Sequence, residues 1–275
     1  MITIVSAFFD IGRGTWTPSM VQRGGNIPHY LFRTNETYIE RFAYLLKLEN
    51  DIVLYTSEDI EPKIRAMADE IGKKNFSIVV VDFKSTFSTL RSQVRAVMDD
   101  PTFPAKINPN QIRNPEYWCE DYVVVTFLKA HFVADAIEQD LVDTEQVAWI
   151  DFGYCRDEAA LGGKTKWDYD FDPSRIHMFN CIPVDPSSEK VIEQVSNAVC
   201  NNVVYILGAA VVAAKSYWRP LANAMQMSIE MLMENGLVDD DQGNFLVCML
   251  GNPDAFELHP IDYNDPFIVF RYFNK

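Results

Sequence analysis

A chain of 275 residues with 48% hydrophobic content is long enough for one large α/β domain or two small ones, with a sizeable core. Its 24 basic against 39 acidic residues leave a formal charge of −15, which argues against a nucleic-acid backbone or a polybasic membrane anchor as its main partner. No run of 18 apolar residues occurs, no basic segment precedes the first strand, and Cys119, Cys155, Cys181, Cys200 and Cys248 lack metal-knuckle spacing, so a cytoplasmic protein with free thiols and no transmembrane segment is expected.

Strand Ile2–Phe9 opens the chain and runs into a polar loop with Asp10, Gly12, Arg13 and Gly14. Tyr38–Leu48 has helical spacing, with Phe42, Leu45, Leu46 and Leu48 on or near one face, and Asn50 and Asp51 stop it. Ile52–Tyr55 reads as the second strand, Pro62–Ile71 as a helix and Ile78–Val81 as the third strand. This alternation implies a parallel sheet with right-handed crossovers. Thr86–Met98 is compatible with a helix, whereas Asp100–Pro115 holds four prolines and reads as an irregular surface loop. Asp121–Ile137 reads as one helix leading to the apolar run Val147–Ile150. Arg156–Pro173 reads as loop near the site, and Arg175–Asn180 and Val203–Leu207 as later strands. Tyr217–Asn235 carries Leu221, Met225, Ile229 and Leu232 at helical spacing, and Asp239–Leu250 begins with acids as a capped helix does. No repeat or low-complexity linker divides the chain, so a single domain over 1–275 is expected.

The chemistry concentrates in Val147–Tyr154. Asp151 ends a buried strand, where open α/β sheets hold ligands, and its carboxylate suits a divalent ion that also grips phosphate. Gly153 lets a ligand approach the backbone; an ordinary turn aspartate is the plain alternative. Arg13 could hold a phosphate with a two-pronged hydrogen bond, or be an exposed loop arginine. Lys129 shares a helix face with Tyr122, Thr126 and Val133 and either meets a phosphate or nucleobase or snorkels at the surface. His259 suits a transition ion such as Mn²⁺ better than Mg²⁺, or is a plain hydrogen-bonded or exposed residue, while His29, His131 and His177 show no ligand pairing with one another. Asp239, Asp240 and Asp241 offer a general base for an acceptor hydroxyl or complement a helix dipole. The Gly-Ala-rich stretch Leu207–Ala214 either admits a sugar close to the backbone or packs tightly in the core. Trp16, Trp118, Trp167 and Trp218 could stack on sugar faces or fill the core, Trp167 being foremost because it follows Asp151 in a polar loop. No G-x-S-x-G, H-E-x-x-H or Walker A motif occurs.

The runs Ile4–Gly14, Asn50–Thr56 and Trp149–Tyr154, with a weaker tail around Asp241, Gln242 and Phe256, resemble the HtrL/YibB family of bacterial proteins, some encoded with lipopolysaccharide or lipooligosaccharide genes. The resemblance implies a nucleotide-sugar-dependent glycosyltransferase of GT-A type, a single Rossmann-like domain with a mixed, mostly parallel sheet flanked by helices. Residues 1–150 would form its nucleotide-binding half and residues 151–275 its metal and acceptor half. It places Ser6, Ala7 and Phe8 against the nucleoside, Asp10 and Arg13 beside the ribose or pyrophosphate, Thr56 facing the same pocket and Lys129 at the nucleotide. Asp151 takes the first position of the D-x-D motif, whose second acid is here Gly153; His259 would restore a metal ligand, and Asp240 and Asp241 would face the acceptor.

The resulting expectation is a metal-dependent transferase, with Mn²⁺ favoured over Mg²⁺, that moves sugar from a UDP-sugar to a cell-envelope glycan or lipid-linked acceptor such as lipopolysaccharide, with at most peripheral contact with the inner membrane. A non-catalytic nucleotide-sugar binder is the second reading, supported by the missing acid, and a metal-dependent hydrolase or nucleotidyltransferase the third.

Overall fold

The computed structural model describes residues 1–17 and 29–274. Seven strands, β1 (Thr3–Phe8), β2 (Ile52–Thr56), β3 (Phe76–Val80), β4 (Gln146–Ile150), β5 (Ile176–Asn180), β6 (Ile206–Ala214) and β7 (Phe256–Pro260), form one sheet in the order β3-β2-β1-β4-β6-β5-β7. Pairing is parallel except where β6 runs antiparallel between β4 and β5. The expected mixed, mostly parallel sheet flanked by helices is therefore present. After β3 the chain returns to lay β4 on the other side of β1, so the β1/β4 gap is a topological switch point.

Among the described residues eleven α-helices flank the sheet: α1 (Asn35–Leu46), α2 (Glu61–Ile71), α3 (Phe83–Thr86), α4 (Ser88–Met98), α5 (Phe103–Lys106), α6 (Glu120–Phe127), α7 (Lys129–Glu138), α8 (Ser188–Asn201), α9 (Lys215–Glu234), α10 (Asp241–Gly251) and α11 (Val269–Tyr272). Strand alternation divides the core into two layers. Val5, Trp149, Val211 and Met178 face a layer shared with α4, α6, α7, α9 and α10. Ile4, Ile150, Val212 and Phe179 face the other, shared with α1, α2 and the C-terminal aromatics.

Three departures from the sequence reading matter for the site. The expected helix Asp121–Ile137 breaks at Leu128 into α6 and α7. The Thr126 hydroxyl donates to the carbonyls of Tyr122 and Val123, a back-bond that bends helices. The strand expected at Val203–Leu207 instead occupies Ile206–Ala214, buried throughout and paired on both sides; small apolar side chains suit a strand covered on both faces. Its ladder to β5 slips, Met178 pairing with Val211 but Phe179 with Leu207, so β6 bulges at 208–210. α5 and a 3-10 turn at Pro115–Tyr117 interrupt the loop expected at Asp100–Pro115. No helix among the described residues is long and apolar enough to cross a membrane.

Candidate active site

A cavity of about 750 Å³ opens at the carboxyl ends of β1 and β4, where the switch point places ligands and within the size range of small-molecule sites. Ala7, Phe8, Arg13, Lys129, Asp151 and Asp241 are among its walls.

Lys129 organises the floor. As the first residue of α7 it sits just past the Leu128 break. Its ammonium lies 2.7 Å from Asp151 Oδ1 and 2.9 Å from Asp241 Oδ2, and donates to the Gly208 carbonyl at 2.8 Å. The β6 bulge places that carbonyl there, and three acceptors use all three ammonium protons. Burial alone would lower the ammonium's pKa, but Asp151 and then Asp241 outweigh it and raise it. Asp151 Oδ1 also accepts from the Trp149 indole at 2.8 Å.

Asp241 is only 3% exposed. Burial raises its pKa despite the opposing Lys129. Next to it Asp240 caps α10, accepting from the Gln242 amide at 2.9 Å. Burial and then Asp241 push the Asp240 carboxyl up to about 7. Glu116 and Asp239 are likewise raised, by burial first and by Asp240 next.

The Asp240 shift has a testable consequence for stability. Its folded pKa of about 7 lies above its ordinary 3.8, so the native state holds a proton that the unfolded chain has released. Stability from this group is present at low pH and is lost as pH rises through the window from about 4 to 7. Asp240→Asn keeps a cap and removes the titration. Its melting temperature should exceed the parent's at pH 8 and converge with it near pH 4; parallel melting curves across that range would refute the assignment.

The family model described as a bacterial protein of unknown function, HtrL_YibB, matches residues 1–274. The chain belongs to the HtrL/YibB family. Protein HtrL of Escherichia coli K12 is 37% identical over 273 residues, covering 99% of this chain and 92% of that protein. Among solved structures, apo mouse xyloside xylosyltransferase 1 is similar over 98% of this chain and 93% of its own, at 11% identity and a TM-score of 0.43.

In this HtrL/YibB chain Ala7, Phe8, Arg13, Lys129, Asp151, Gly153 and Asp241 come together around the cavity. Ser6, Asp10, Thr56, Asp240 and His259 do not line it. Ser6 is buried. Thr56 is also buried and donates to the Phe8 carbonyl at 2.7 Å, tying β2 to β1. Asp10 accepts from the Gly12 amide at 2.8 Å and shapes the first loop.

His259 lies on β7, three strand steps from β4, or about 14 Å at the usual spacing. It packs with Phe179 on the sheet face opposite Lys129 and Asp151. Its Nε2 is 2.9 Å from His177 Nδ1, and His177 Nε2 meets the Asp172 carbonyl at 2.8 Å. So the expected Asp151–His259 metal pair is not assembled, and strand register instead joins His259 to His177. Together with Glu257 these histidines form the one potential metal-ligand cluster among the described residues. The distance between their ring centroids, 5.2 Å, fits nitrogens aimed head-on at each other, a hydrogen bond rather than lone pairs converging on an ion.

The D-x-D metal implied by the resemblance also fits the cavity floor poorly. The notch between Asp151 and Asp241 is filled by the Lys129 ammonium. A Cβ on Gly153 would lie 2.7 Å from Tyr38 Cδ1, so a ring takes the room of a second acid.

Trp167 and Trp218 are fully buried, and Trp16 packs edge-on against Trp118 with centroids 4.9 Å apart. The tryptophan that lines the cavity is Trp149, which the sequence reading left in the strand. Arg33 and Arg156 also line it, and no spacing signal singled them out.

Proposed function

We propose that the protein is a glycosyltransferase that takes a sugar from a nucleotide-sugar, a UDP-sugar first, and passes it to a hydroxyl of a cell-envelope glycan such as lipopolysaccharide. The carrying observation is the large cavity at the β1/β4 switch point, with a buried carboxylate, Asp241, at its wall. In this reading the β1 end receives the nucleoside and the 151–275 half presents the acceptor. The work takes place on the cytoplasmic side, with at most peripheral contact with the inner membrane.

Asp241 is the better placed of the two expected bases, because it lines the cavity while Asp240 is spent on a helix cap. Lys129 fixes Asp241 Oδ2, leaving Oδ1 to accept the proton of an acceptor hydroxyl as it attacks the anomeric carbon. The donor's diphosphate departs with growing negative charge, which preorganised cations at the cavity wall stabilise. Because the residues present do not build a D-x-D metal site, no step is assigned to a metal.

The test is release of nucleoside diphosphate from a panel of nucleotide-sugars, with Mn²⁺, Mg²⁺ or EDTA. One donor should be cleaved, and Asp241→Asn should slow release by about 10² to 10⁴, the usual worth of a general base. Saturable UDP binding without turnover of any donor, acceptor included, would favour the non-catalytic binder, which the blocked second-acid position also suits. Absence of both binding and release would sink the nucleotide-sugar reading.

A further inference from the structure

We infer that Arg13 and Arg156 at the cavity wall, backed by Arg41 behind Gly153, form an anion-binding cluster that takes the donor's diphosphate directly, without a bridging divalent ion. The inference rests on the nucleotide-sugar reading but is carried by different residues.

The local acids are already committed. Asp151 and Asp241 share Lys129, and Asp265 is gripped by Arg271 at 2.6 and 2.7 Å. Lys129 has no proton left for a phosphate. By contrast, Arg13, Arg41 and Arg156 make no ion pair among the described residues.

Aromatic rings hold Arg13 and Arg156 instead. Arg13 lies 5.5, 5.4 and 5.3 Å from the ring centroids of Trp16, Tyr38 and Tyr122 and bonds the Tyr38 hydroxyl. Arg156 lies 4.0 Å from the Phe267 centroid. Such faces orient a cation but leave its charge available to a ligand. Two donors, Arg13 Nε and Arg41 Nη1, are buried with no partner, a costly state that a phosphate oxygen would relieve.

The three cations also feel one another. Burial and then Arg13 lower the Arg41 pKa, and burial and then Arg41 lower that of Arg156. They are thus strung as one series. Gly153 marks its centre: a Cβ there would lie 2.7 Å from the Tyr38 ring and 3.8 Å from Arg41 Cδ. Where the D-x-D pattern has its second metal-binding acid, this chain has an aromatic ring backed by a guanidinium. In a chain of net charge −15, Arg13 and Arg156 at the cavity wall match the two charges of a donor's diphosphate, Arg41 adds a third cation behind Gly153, and guanidinium suits the paired oxygens.

The test is calorimetric titration with inorganic pyrophosphate in EDTA, for the parent, Arg156→Gln and Arg41→Gln, repeated with Mn²⁺. The parent should bind in EDTA, and each variant should bind about 10- to 100-fold more weakly, the usual range for a lost charge-assisted hydrogen bond. Neither variant should melt below the parent without ligand, because each relieves like-charge repulsion. Equal pyrophosphate affinity in all three proteins, or binding only with Mn²⁺, would overturn the inference. Donor cleavage that requires Mn²⁺ and survives Arg156→Gln would overturn it while leaving the transferase reading intact. Pyrophosphate binding in EDTA that both variants weaken, without cleavage of any donor, would uphold the cluster and count against the transferase.

Discussion

Lys129→Met should cost about 3–5 kcal/mol of folding stability at neutral pH, the usual penalty for stranding one member of a buried pair. The effect comes chiefly from Asp241, whose side chain is 4% exposed; that of Asp151 is 37% exposed and water screens it. At roughly 2–4 °C per kcal/mol, the melting temperature should fall by about 10 °C. The sign with pH is distinctive. Without the ammonium, the folded-state pKa of Asp241 rises further above its unfolded value. The penalty should therefore be largest above that raised pKa and should shrink as pH falls and Asp241 takes a proton. Adding Asp241→Asn should recover much of the loss, because it removes the stranded charge. Thermal unfolding of the single and double variants from pH 5 to 8 measures both effects. A pH-independent loss that Asp241→Asn does not repair would mean that lost packing, not charge, decides the result.

Gly208→Ala, a change of one methyl group, should be nearly as severe. The new Cβ would fall inside the Asp241 carboxylate, so Asp241 must leave Lys129 or β6 must move. Combining overpacking with a broken buried pair, the cost should be at least about 3 kcal/mol. Donor cleavage should fall with it, because the same displacement takes the proposed base out of position. Gly251→Ala is the control. It ends α10 with nothing within 4 Å of its added Cβ, and alanine there should be neutral or stabilising by up to about 1 kcal/mol. Chemical denaturation of the two variants compares them directly. Equal stability would show that β6 yields at its bulge and that the fit at Gly208 is looser than its geometry implies.

The parts of the fold that were legible in sequence are those whose signal is local. Apolar runs announced β1, β2 and β4, and the Leu221–Leu232 spacing announced α9. The Trp149–Tyr154 run located the cavity floor and, with Ile4–Gly14, pointed to the family. What escaped depends on distant partners. Nothing local distinguishes an antiparallel β6 from another parallel strand. α8 was legible but missed: Val191, Val195 and Val199 recur every four residues, but charged and amide residues around them mask the stripe.

The site shows the same division. Asp151 and Arg13 stand beside strand ends and could be nominated from position. Lys129 could be nominated too, but its partners Gly208 and Asp241 lie 79 and 112 residues away and only the fold reveals them. Arg41 and Arg156 occupy a helix and a loop with no motif, and become interesting only because β1, α1 and β4 bring them beside Gly153. For His259, residue type suggested a metal ligand, whereas strand order and face decided its surroundings.

The span between Lys129 and Asp241 also sets a clock during synthesis. At about 5–20 residues per second, the 112 residues that separate them take roughly 6 to 22 seconds to emerge. β1 to β3 are already made when that interval opens and β4 follows early in it, yet the lysine at the head of α7 meets Gly208 only 79 residues later and Asp241 only at its close. Asp151 can pair with it once β4 is made, but its remaining protons stay with water until Gly208 and Asp241 arrive. The cavity floor is thus completed only when α10 arrives, and the last quarter of the chain locks in place a lysine laid down long before.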